Sequence, residues 1–373
     1  MRKSLLLFCL IVAMGPLGLF GQTAPIYGPE NGSLLIVGGG FTTNEMIQRM
    51  AELMGGFDQP LVVVPTATDP NSINIAATQS QWENRGFTDV TVLHTTDPSV
   101  ANTESFVAPL KVAKGVWFGG GRQWRLVDAY LNTLTLDEFH NVLDRGGLIA
   151  GSSAGASIQA SFLARGAEAS NVPIISPELE HRVGFGFLKN SAIDQHIDAR
   201  DRWEEMEEII VNYPDLLGIG LSETTAILVQ GDCFEVLGVA QVAITDSTRL
   251  NDCQGDSCYE ILVASDSFNI VHRLKGSCDL GPNPPSSVNS PDPLFALQLY
   301  PNPASGSFRI ESAEQQITGV SIFNLLGAEV SHLIRWELQG RQATVETYGL
   351  EAGAYLVQVS TEKGAVVKRV LIE

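Results

Sequence analysis

The sequence predicts an α/β domain with a mainly parallel sheet between two layers of helices, followed by a small all-β unit. Uninterrupted apolar runs such as SLLIVGGG (33–40), PLVVVPTA (60–67) and GVWFGGG (115–121) indicate buried strands, most of them ending in glycine-rich turns. Helical patterns lie between several of these runs. Continuous apolar strands that alternate with helices are typical of a parallel sheet covered on both faces. Sites in such sheets form at the carboxyl ends of the strands.

Helices are predicted where apolar residues recur three or four positions apart. In FTTNEMIQRMAELMGG these residues are Met46, Ile47, Met50, Leu53 and Met54. Two further predicted helices are WRLVDAYLNTL (124–134) and DEFHNVLDRG (137–146), and the further predicted buried strands are VTVLHTT (90–96), GGLIAG (146–151) and LLGIGLS (216–222). From about residue 226, AILVQGD, CFEVLGVAQVAITD and CYEILVASDSFNIVHRL predict antiparallel strands that close one edge of the same domain.

Composition divides the chain into four segments. Residues 1–22 have a positively charged start and a short apolar run broken at Pro16, as expected for a cleaved signal peptide rather than for a membrane anchor. Residues 23–278 form the α/β domain, and residues 279–293, rich in Pro, Ser and Asn, form a linker. Residues 294–373 form the all-β unit. No later stretch approaches about 18 uninterrupted apolar residues, so no membrane span is expected in the mature chain.

The formal net charge of −19 disfavours binding to nucleic acid or to anionic lipid. Cys9 leaves with the signal peptide, and an even number of cysteines in an exported chain favours disulfides. Three pairings are open, of which we favour Cys253–Cys258 together with Cys233–Cys278. A zinc site is the alternative, although the spacing is not typical of zinc ligands. No metal or cofactor is therefore expected.

The segment LIAGSSAGASIQ (148–159) contains Gly151–Gly155, which fits the pattern G-x-S-x-G with Ser153 at its centre. In that pattern the flanking glycines let a sharp strand-to-helix turn pass close to its neighbours and hold the serine oxygen above the sheet. Ser152 does not fit the centre, because Ala150 stands where the first glycine is needed. The pattern alone is weak, since an ordinary tight turn uses the same small residues.

A nucleophilic serine needs a base, and the base needs an acid that orients it. The histidines after Ser153 are His181, His196, His272 and His332. We favour His196, which lies in a polar stretch just before a helical pattern and so could face a cleft. Glu223 follows an apolar run and is the favoured acid, with Asp194 as the competing candidate.

An oxyanion needs two backbone N–H groups that point to one place. Gly120 or Gly121, at the end of a predicted strand, could supply one of them, and Ala154 the other. A phosphate cradle or a plain turn is the alternative for these glycines. Nucleotide binding is disfavoured, because no G-x-x-x-x-G-K-[ST] motif occurs and the G-x-G-x-x-G pattern that starts at Gly38 fails at Thr43.

Together, GGGRQ, GSSAGAS, DQHIDARDR and GIGLSETTA resemble the cyanophycinase family of serine peptidases, which is related to aspartyl dipeptidase E. The resemblance runs from about Ser33 to Gly238. It implies a flavodoxin-like domain related to class I glutamine amidotransferases, with Ser153 as nucleophile, His196 as base and Glu223 as acid. The acid follows the histidine in the chain, whereas it precedes the histidine in α/β-hydrolases.

The substrate contacts that the resemblance implies are Gln123, Gln195, Arg200 and Arg202. The arginines would hold an aspartate carboxylate, which guanidinium groups clamp in a fixed geometry. Ion pairs with Glu204, Glu205 or Glu207 on a helix surface are the alternative. Arg122 stands where the family usually has Asp, and this change of two charge units puts a preference for arginine-containing substrates in doubt.

The C-terminal unit is predicted to be a small β-sandwich. Its motifs LYPNPASGSFRI, VSIFNLLGAEV, GLEAGAYLVQV and KRVLIE resemble the C-terminal sorting domain of the type IX secretion system. The resemblance implies export through the periplasm and outer membrane by that machinery, to the cell surface or the medium. An unrelated carbohydrate-binding sandwich is the alternative.

The two resemblances imply an exported serine exopeptidase that releases dipeptides from cyanophycin or related β-aspartyl peptides through an acyl-enzyme. An α-aspartyl dipeptidase-like peptidase and a non-catalytic surface binding protein on the same scaffold are the alternatives. The sequence leaves open the oligomeric state, a homodimer included, and whether the sorting domain is removed.

Overall fold

The computed structural model describes residues 27–168, 172–253, 257–276, 278, 297–312, 316–324, 330–361 and 364–372. The expected signal peptide (1–22) and the expected linker (279–293) lie outside these residues. Among the helices of the described ranges, none is both long enough and apolar enough to cross a membrane.

The described helices are α1 (Asn44–Met54), α2 (Ile75–Glu83), α3 (Pro98–Ala101), α4 (Glu104–Val107), α5 (Trp124–Tyr130), α6 (Leu134–Asp144), α7 (Ala154–Ser157), α8 (Met206–Asn212) and α9 (Ser247–Asp252). Helix α1 shows how the sequence sets its limits. The Thr43 hydroxyl accepts a hydrogen bond from the Met46 N–H at its start, and Gly55 ends it in the left-handed conformation. Its buried side chains include Met46, Ile47 and Met50, and burial of one such side chain contributes about 1.5–3 kcal/mol.

The strands of the N-terminal domain are β1 (Ser33–Val37), β2 (Leu61–Val64), β3 (Val90–Val92), β4 (Gly115–Phe118), β5 (Leu148–Ser152), β6 (Ala160–Phe162), β7 (Leu188–Gln195), β8 (Leu217–Leu221), β9 (Thr225–Gln230), β10 (Cys233–Gly238), β11 (Gln241–Thr245), β12 (Glu260–Val263), β13 (Ser267–Asn269) and β14 (Leu274–Lys275). Nine of them form one sheet in the order β14-β13-β10-β9-β1-β5-β4-β2-β3. Neighbours from β1 to β3 in this order are parallel, whereas β9, β10, β13 and β14 pair antiparallel at the other edge. The predicted parallel core and its antiparallel edge are both confirmed.

The structure differs from the expectation of a single sheet. Strands β6, β7 and β8 pair parallel and join the antiparallel β11 and β12 in a second sheet, in the order β12-β11-β8-β7-β6. The predicted strand LLGIGLS therefore belongs to this second sheet. An apolar run reports burial on both faces but does not say with which sheet the strand pairs, so the assignment to one sheet was wrong.

The two faces of the large sheet explain the continuous apolar runs. On one face, Val37 and Val63 pack with residues of α1 and α2. On the other face, Ile36 and Val64 pack with residues of α5 and α6 and with Ile219 of the second sheet. The second sheet thus lies on one face of the first, and the carboxyl ends of β1, β4 and β5 are neighbours.

Both favoured disulfides are confirmed. Cys233 pairs with Cys278 and Cys253 with Cys258, with Cα–Cα distances of 5.8 and 5.3 Å. All four cysteines considered for a zinc site are therefore in disulfide bonds.

The C-terminal strands are β15 (Leu297–Tyr300), β16 (Ser307–Ser312), β17 (Ile317–Asn324), β18 (Arg335–Gln339), β19 (Gln342–Glu346), β20 (Gly353–Thr361) and β21 (Gly364–Ile372). They form a four-stranded sheet, β15-β16-β19-β18, and a three-stranded sheet, β17-β20-β21. Phe308 and Val345 of the first sheet share a core with Ile322 and Val357 of the second. The predicted β-sandwich is confirmed.

Candidate active site

The turn after β5 carries Ser153 in a strained backbone conformation, with φ of 58° and ψ of −113°. A Cβ on Gly151 would overlap the carbonyl of Gly155, and a Cβ on Gly155 would overlap the carbonyl of Phe118. Both positions must therefore be glycine for the turn to pass this close to its neighbours. Positive φ in a non-glycine residue costs about 1–3 kcal/mol and is typical of functional sites. The turn has the geometry of a nucleophile elbow.

Ser153, His196 and Glu223 form one hydrogen-bonded chain. The Ser153 Oγ lies 2.8 Å from the Nε2 of His196, and the His196 Nδ1 lies 2.5 Å from the Oε1 of Glu223. His196 follows β7 with φ of 57°, and Glu223 follows β8. The site thus lies where the carboxyl ends of strands from the two sheets meet. Each of the three residues follows a different strand; the strands before Ser153 and Glu223 were predicted, whereas the strand before His196 was not.

Asp194, the competing acid, does not contact His196. Its two oxygens each lie 3.0 Å from the Nε of Arg165, and both side chains are buried. Of the other histidines considered, His181 contacts Asp128, and His272 is exposed on another part of the surface.

Burial lowers the pKa of His196 below its usual value of 6.5, and the positive charges of Arg200 and Arg202 act in the same direction. The hydrogen bond and the negative charge of Glu223 oppose this shift and favour the protonated ring. Burial is the largest of these effects. The resting imidazole is therefore neutral at neutral pH, which is the form that can accept a proton from Ser153.

This pKa shift predicts a pH profile. The rate of labelling of Ser153 by a fluorophosphonate should rise with pH and reach half of its maximum below pH 6.5, because only the neutral His196 activates the serine. Arg200→Gln should move the midpoint to higher pH, since it removes a positive charge that lowers the pKa of His196. Labelling rates measured between pH 4 and 9 (about five units, spanning the usual histidine range) test both points. A midpoint above 6.5 in the wild type would contradict the assignment.

Gly120, one of the glycines expected to serve an oxyanion, lies beside Ser153. A Cβ on Gly120 would lie 3.4 Å from the Ser153 Cβ and 3.8 Å from its Oγ, so this backbone passes directly beside that side chain. Thr68 Oγ1 donates to the Gly120 carbonyl at 3.1 Å and fixes the peptide. Gly121, with φ of 140°, packs against the carbonyl of Ala67. Ala154 is buried at the start of α7, immediately after Ser153.

The four expected substrate contacts fall into different environments. Gln123 is buried, and its amide nitrogen donates to the carbonyl of Ala164 at 2.8 Å, so it holds main chain in this structure. Gln195 is buried, and its Oε1 has no hydrogen-bond partner among the described residues. Arg200 is exposed, and no ion pair of its side chain occurs within the described ranges.

Arg202 is half-buried, 3.7 Å from the Asp194 carboxylate, and its guanidinium donates to the Gln195 carbonyl at 3.4 Å. Burial lowers its pKa to about 10, while the charge of Asp194 opposes this shift. The helix-surface alternative is not observed for this side chain. Glu205, one of the glutamates considered, pairs with Arg165 instead.

Two features of the site were missed by the sequence analysis. Arg165, with φ of 56°, is buried and joins Asp194, Glu205 and the carbonyl of Val172. No periodicity reveals such a residue, because its partners are far away in the chain. The second feature is the turn Gly38–Gly40 after β1, which contacts His196 and Glu223. Its three glycines were visible, but they were considered only as a nucleotide motif.

One group of described residues could offer metal ligands. The ligand atoms of Asp128, Glu168 and His181 lie within 4.8 Å of one another. Asp128 and Glu168 are exposed, and exposed acidic groups are common without an ion. This group is separate from the hydrogen-bonded chain of Ser153, so no catalytic step is assigned to it.

Comparison with known proteins shows the family of the N-terminal domain. Residues 34–237, more than half of the chain, match Peptidase family S51. The chain belongs to peptidase family S51. This S51 member is 25% identical over 224 residues to a cyanophycinase from Geminocystis herdmanii, covering 59% of this chain and 82% of the relative. It is 26% identical over 280 residues to a cyanophycinase from Synechococcus elongatus, covering 70% and 86% of the two chains.

The fold of the S51 peptidase is also that of a solved structure. A crystal structure of a peptidase from an acI-B1 Actinobacterium superposes with a TM-score of 0.50 at 24% identity, covering 64% of this chain and 96% of that one. Family membership and these relatives identify the chain as a serine-type peptidase. Residues 298–373 match the secretion system C-terminal sorting domain, which implies export to the surface or the medium by the type IX machinery.

Proposed function

We propose that this S51 peptidase is a serine exopeptidase that hydrolyses cyanophycin or related β-aspartyl peptides to dipeptides. The observation that carries the proposal is the hydrogen-bonded chain from Ser153 through His196 to Glu223, with links of 2.8 and 2.5 Å. The names of the two relatives supply the substrate class, since both are cyanophycinases.

In the proposed mechanism, Ser153 Oγ attacks the scissile carbonyl while its proton passes to the Nε2 of His196. Glu223 accepts the hydrogen bond from the Nδ1–H of that ring and stabilises the imidazolium. The N–H groups of Gly120 and Ala154 hold the negative oxygen of the tetrahedral intermediate. His196 then gives its proton to the leaving amine. In the second half of the reaction, His196 takes a proton from the water that attacks the acyl-enzyme. It then gives that proton to the Ser153 Oγ as the acyl group leaves.

The proposed substrate carboxylate binds to Arg200 and Arg202. Arg200 is exposed and Arg202 is partly buried, and the positive charges of both lower the pKa of His196. Guanidinium groups bind carboxylates through paired hydrogen bonds. The Oε1 of Gln195 is buried and lacks a partner among the described residues, and in this proposal it accepts a hydrogen bond from a substrate N–H. In this proposal Gln123 does not contact the substrate, but binds the carbonyl of Ala164 and so fixes the main chain there.

The proposal is tested by incubating the purified chain with cyanophycin and measuring released dipeptides by mass spectrometry. A parallel assay with α-aspartyl dipeptides tests the alternative of an α-aspartyl dipeptidase. Release from cyanophycin supports the proposal, whereas cleavage of α-aspartyl peptides alone would replace its substrate class. Cleavage of neither would leave the family assignment and overturn the substrate proposal.

We predict that Arg122 gives this chain a preference for a different substrate charge than a chain with an acidic residue at this position would have. Arg122 is exposed, two residues after Gly120. Arg122→Asp should raise kcat/KM for β-aspartyl-arginine relative to β-aspartyl-glutamate by at least about fourfold at low salt. The variant exchanges attraction and repulsion for both substrates, and each exposed charge pair contributes about 0.2–1 kcal/mol. Lys114→Asp makes the same charge change at the opposite end of β4 and is the matched control. An equal shift in both variants would contradict a local role for Arg122.

We also propose the division of the chain into a signal peptide (1–22), a peptidase domain (23–278), a linker (279–293) and a sorting domain (294–373). The two family matches, to residues 34–237 and 298–373, fall inside the second and fourth segments. The intact mass of the exported protein reports whether the first and last segments are removed.

A further inference from the structure

The end of β1 and the turn that follows it bond to the backbone at or beside all three members of the proposed triad. The carbonyl of Val37 accepts from the Ser153 N–H at 3.0 Å, and the carbonyl of Gly38 accepts from the His196 N–H at 2.9 Å. The carbonyl of Gly39 accepts from the N–H of Thr224, next to Glu223, at 2.9 Å. Three successive carbonyls therefore fix the three strand ends relative to one another.

The three residues that donate these bonds share a rare backbone conformation. Ser153, His196 and Thr224 have φ values of 58°, 57° and 55°, in the left-handed region that non-glycine residues avoid. Such conformations persist only where the surrounding structure fixes them. The turn after β1 supplies part of that support.

Gly39 also contacts the imidazole of His196 directly. A Cβ built on Gly39 would lie within 2.7 Å of three ring atoms, Cε1, Nδ1 and Nε2, so only glycine lets the ring lie here. The two nitrogens are those that bond to Ser153 and Glu223. Any displacement of the ring by a side chain at this position therefore disturbs both links of the chain together. A Cβ on the next residue, Gly40, would lie 3.1 Å from the Glu223 Oε2.

We propose that Gly39 is a positioning residue, whose bare backbone seats the His196 ring between Ser153 and Glu223. The inference rests on the proposed function for its effect on catalysis. Its steric part, the exclusion of a Cβ by the imidazole, stands apart from any substrate. The stability of the folded chain can therefore test it even if the proposed reaction fails.

The test compares Gly39→Ala with Gly55→Ala in the full-length chain. Gly39 has φ of 120°, so Gly39→Ala adds backbone strain to the clash; Gly55 also has positive φ, 94°, but a Cβ there would meet only the Gln59 Cγ at 3.8 Å. Gly55→Ala therefore introduces backbone strain without a clash. Gly39→Ala should lower the rate of fluorophosphonate labelling of Ser153 by about 100-fold, as expected for a reacting group displaced by about 1 Å. In Gly55→Ala the labelling rate should stay close to that of the wild type.

A double-mutant cycle separates positioning from a general role in folding. In a His196→Ala background the ring is gone, so Gly39→Ala should lower Tm there only by the cost of the backbone strain at its φ of 120°. In the wild-type background it should lower Tm by more. If Gly39→Ala alone fails to fold while the double variant folds, the inference is supported in the same way. An equal loss of Tm in both backgrounds, or failure of both to fold, overturns it.

A wild-type chain that neither reacts with the probe nor cleaves aspartyl peptides would overturn the proposed function. The Tm cycle would still decide whether the His196 ring sits on Gly39.

Discussion

Ser153→Ala is expected to lower kcat for dipeptide release by about 10⁶-fold, close to the limit of detection. Loss of a serine nucleophile that works together with a histidine and a carboxylate has an effect of this size, because the acyl-enzyme can no longer form. KM should change little, since the arginines and Gln195 proposed to bind the substrate are untouched. Initial rates measured over a range of cyanophycin concentrations give both constants.

Ser152→Ala is the matched control. Ser152 is the last residue of β5 and is half-buried, as Ser153 is. It does not occupy the central position of the G-x-S-x-G turn. This variant should keep kcat within about tenfold of the wild type, an upper limit for a small change beside a reacting group. Full activity in Ser153→Ala, or equal losses in the two variants, would refute the assignment of the nucleophile.

The sequence predicted most of the large sheet because its signals are local. Each of β1, β2, β4 and β5 is an uninterrupted apolar run that can be recognised without its neighbours. Strand β7 (Leu188–Gln195) could not be recognised in this way. Its buried carboxylate, Asp194, is stabilised in the interior by Arg165 and Arg202, and Arg165, the nearer of the two, lies 29 positions away in the chain. Taken alone, without knowledge of these distant partners, the segment has the polar composition typical of a loop.

The same contrast holds at the site. Ser153, His196 and Glu223 could be proposed from their types and their order, and Ser153 and Glu223 also from their places after predicted strands. The structure brings these three side chains together. Gly39 could not be proposed, because its importance lies in the space that its missing side chain leaves for an imidazole more than 150 positions away. The role of Gln123 also depends on a distant group, the carbonyl of Ala164.

Glu223→Gln is the second variant with a large expected effect, a loss of about 10⁴-fold in kcat. An amide can still hold a hydrogen bond to His196 Nδ1, but it carries no charge to stabilise the imidazolium and favours the wrong tautomer of the ring. Glu223 is partly exposed, so the folded chain should tolerate the change with little loss in Tm. Steady-state kinetics and thermal unfolding of the same preparation give the two quantities.

Asp194→Asn tests whether Glu223 or Asp194 is the acid that orients His196. Asp194 is buried and bound to Arg165, so loss of its charge leaves a buried guanidinium without its full partner and should cost about 3–5 kcal/mol of stability. Its effect on kcat should be much smaller than that of Glu223→Gln, because Asp194 does not contact His196. The two variants are therefore expected to separate, one losing activity at nearly constant Tm and the other losing Tm first. The reverse pattern would identify Asp194 as the acid that orients the histidine.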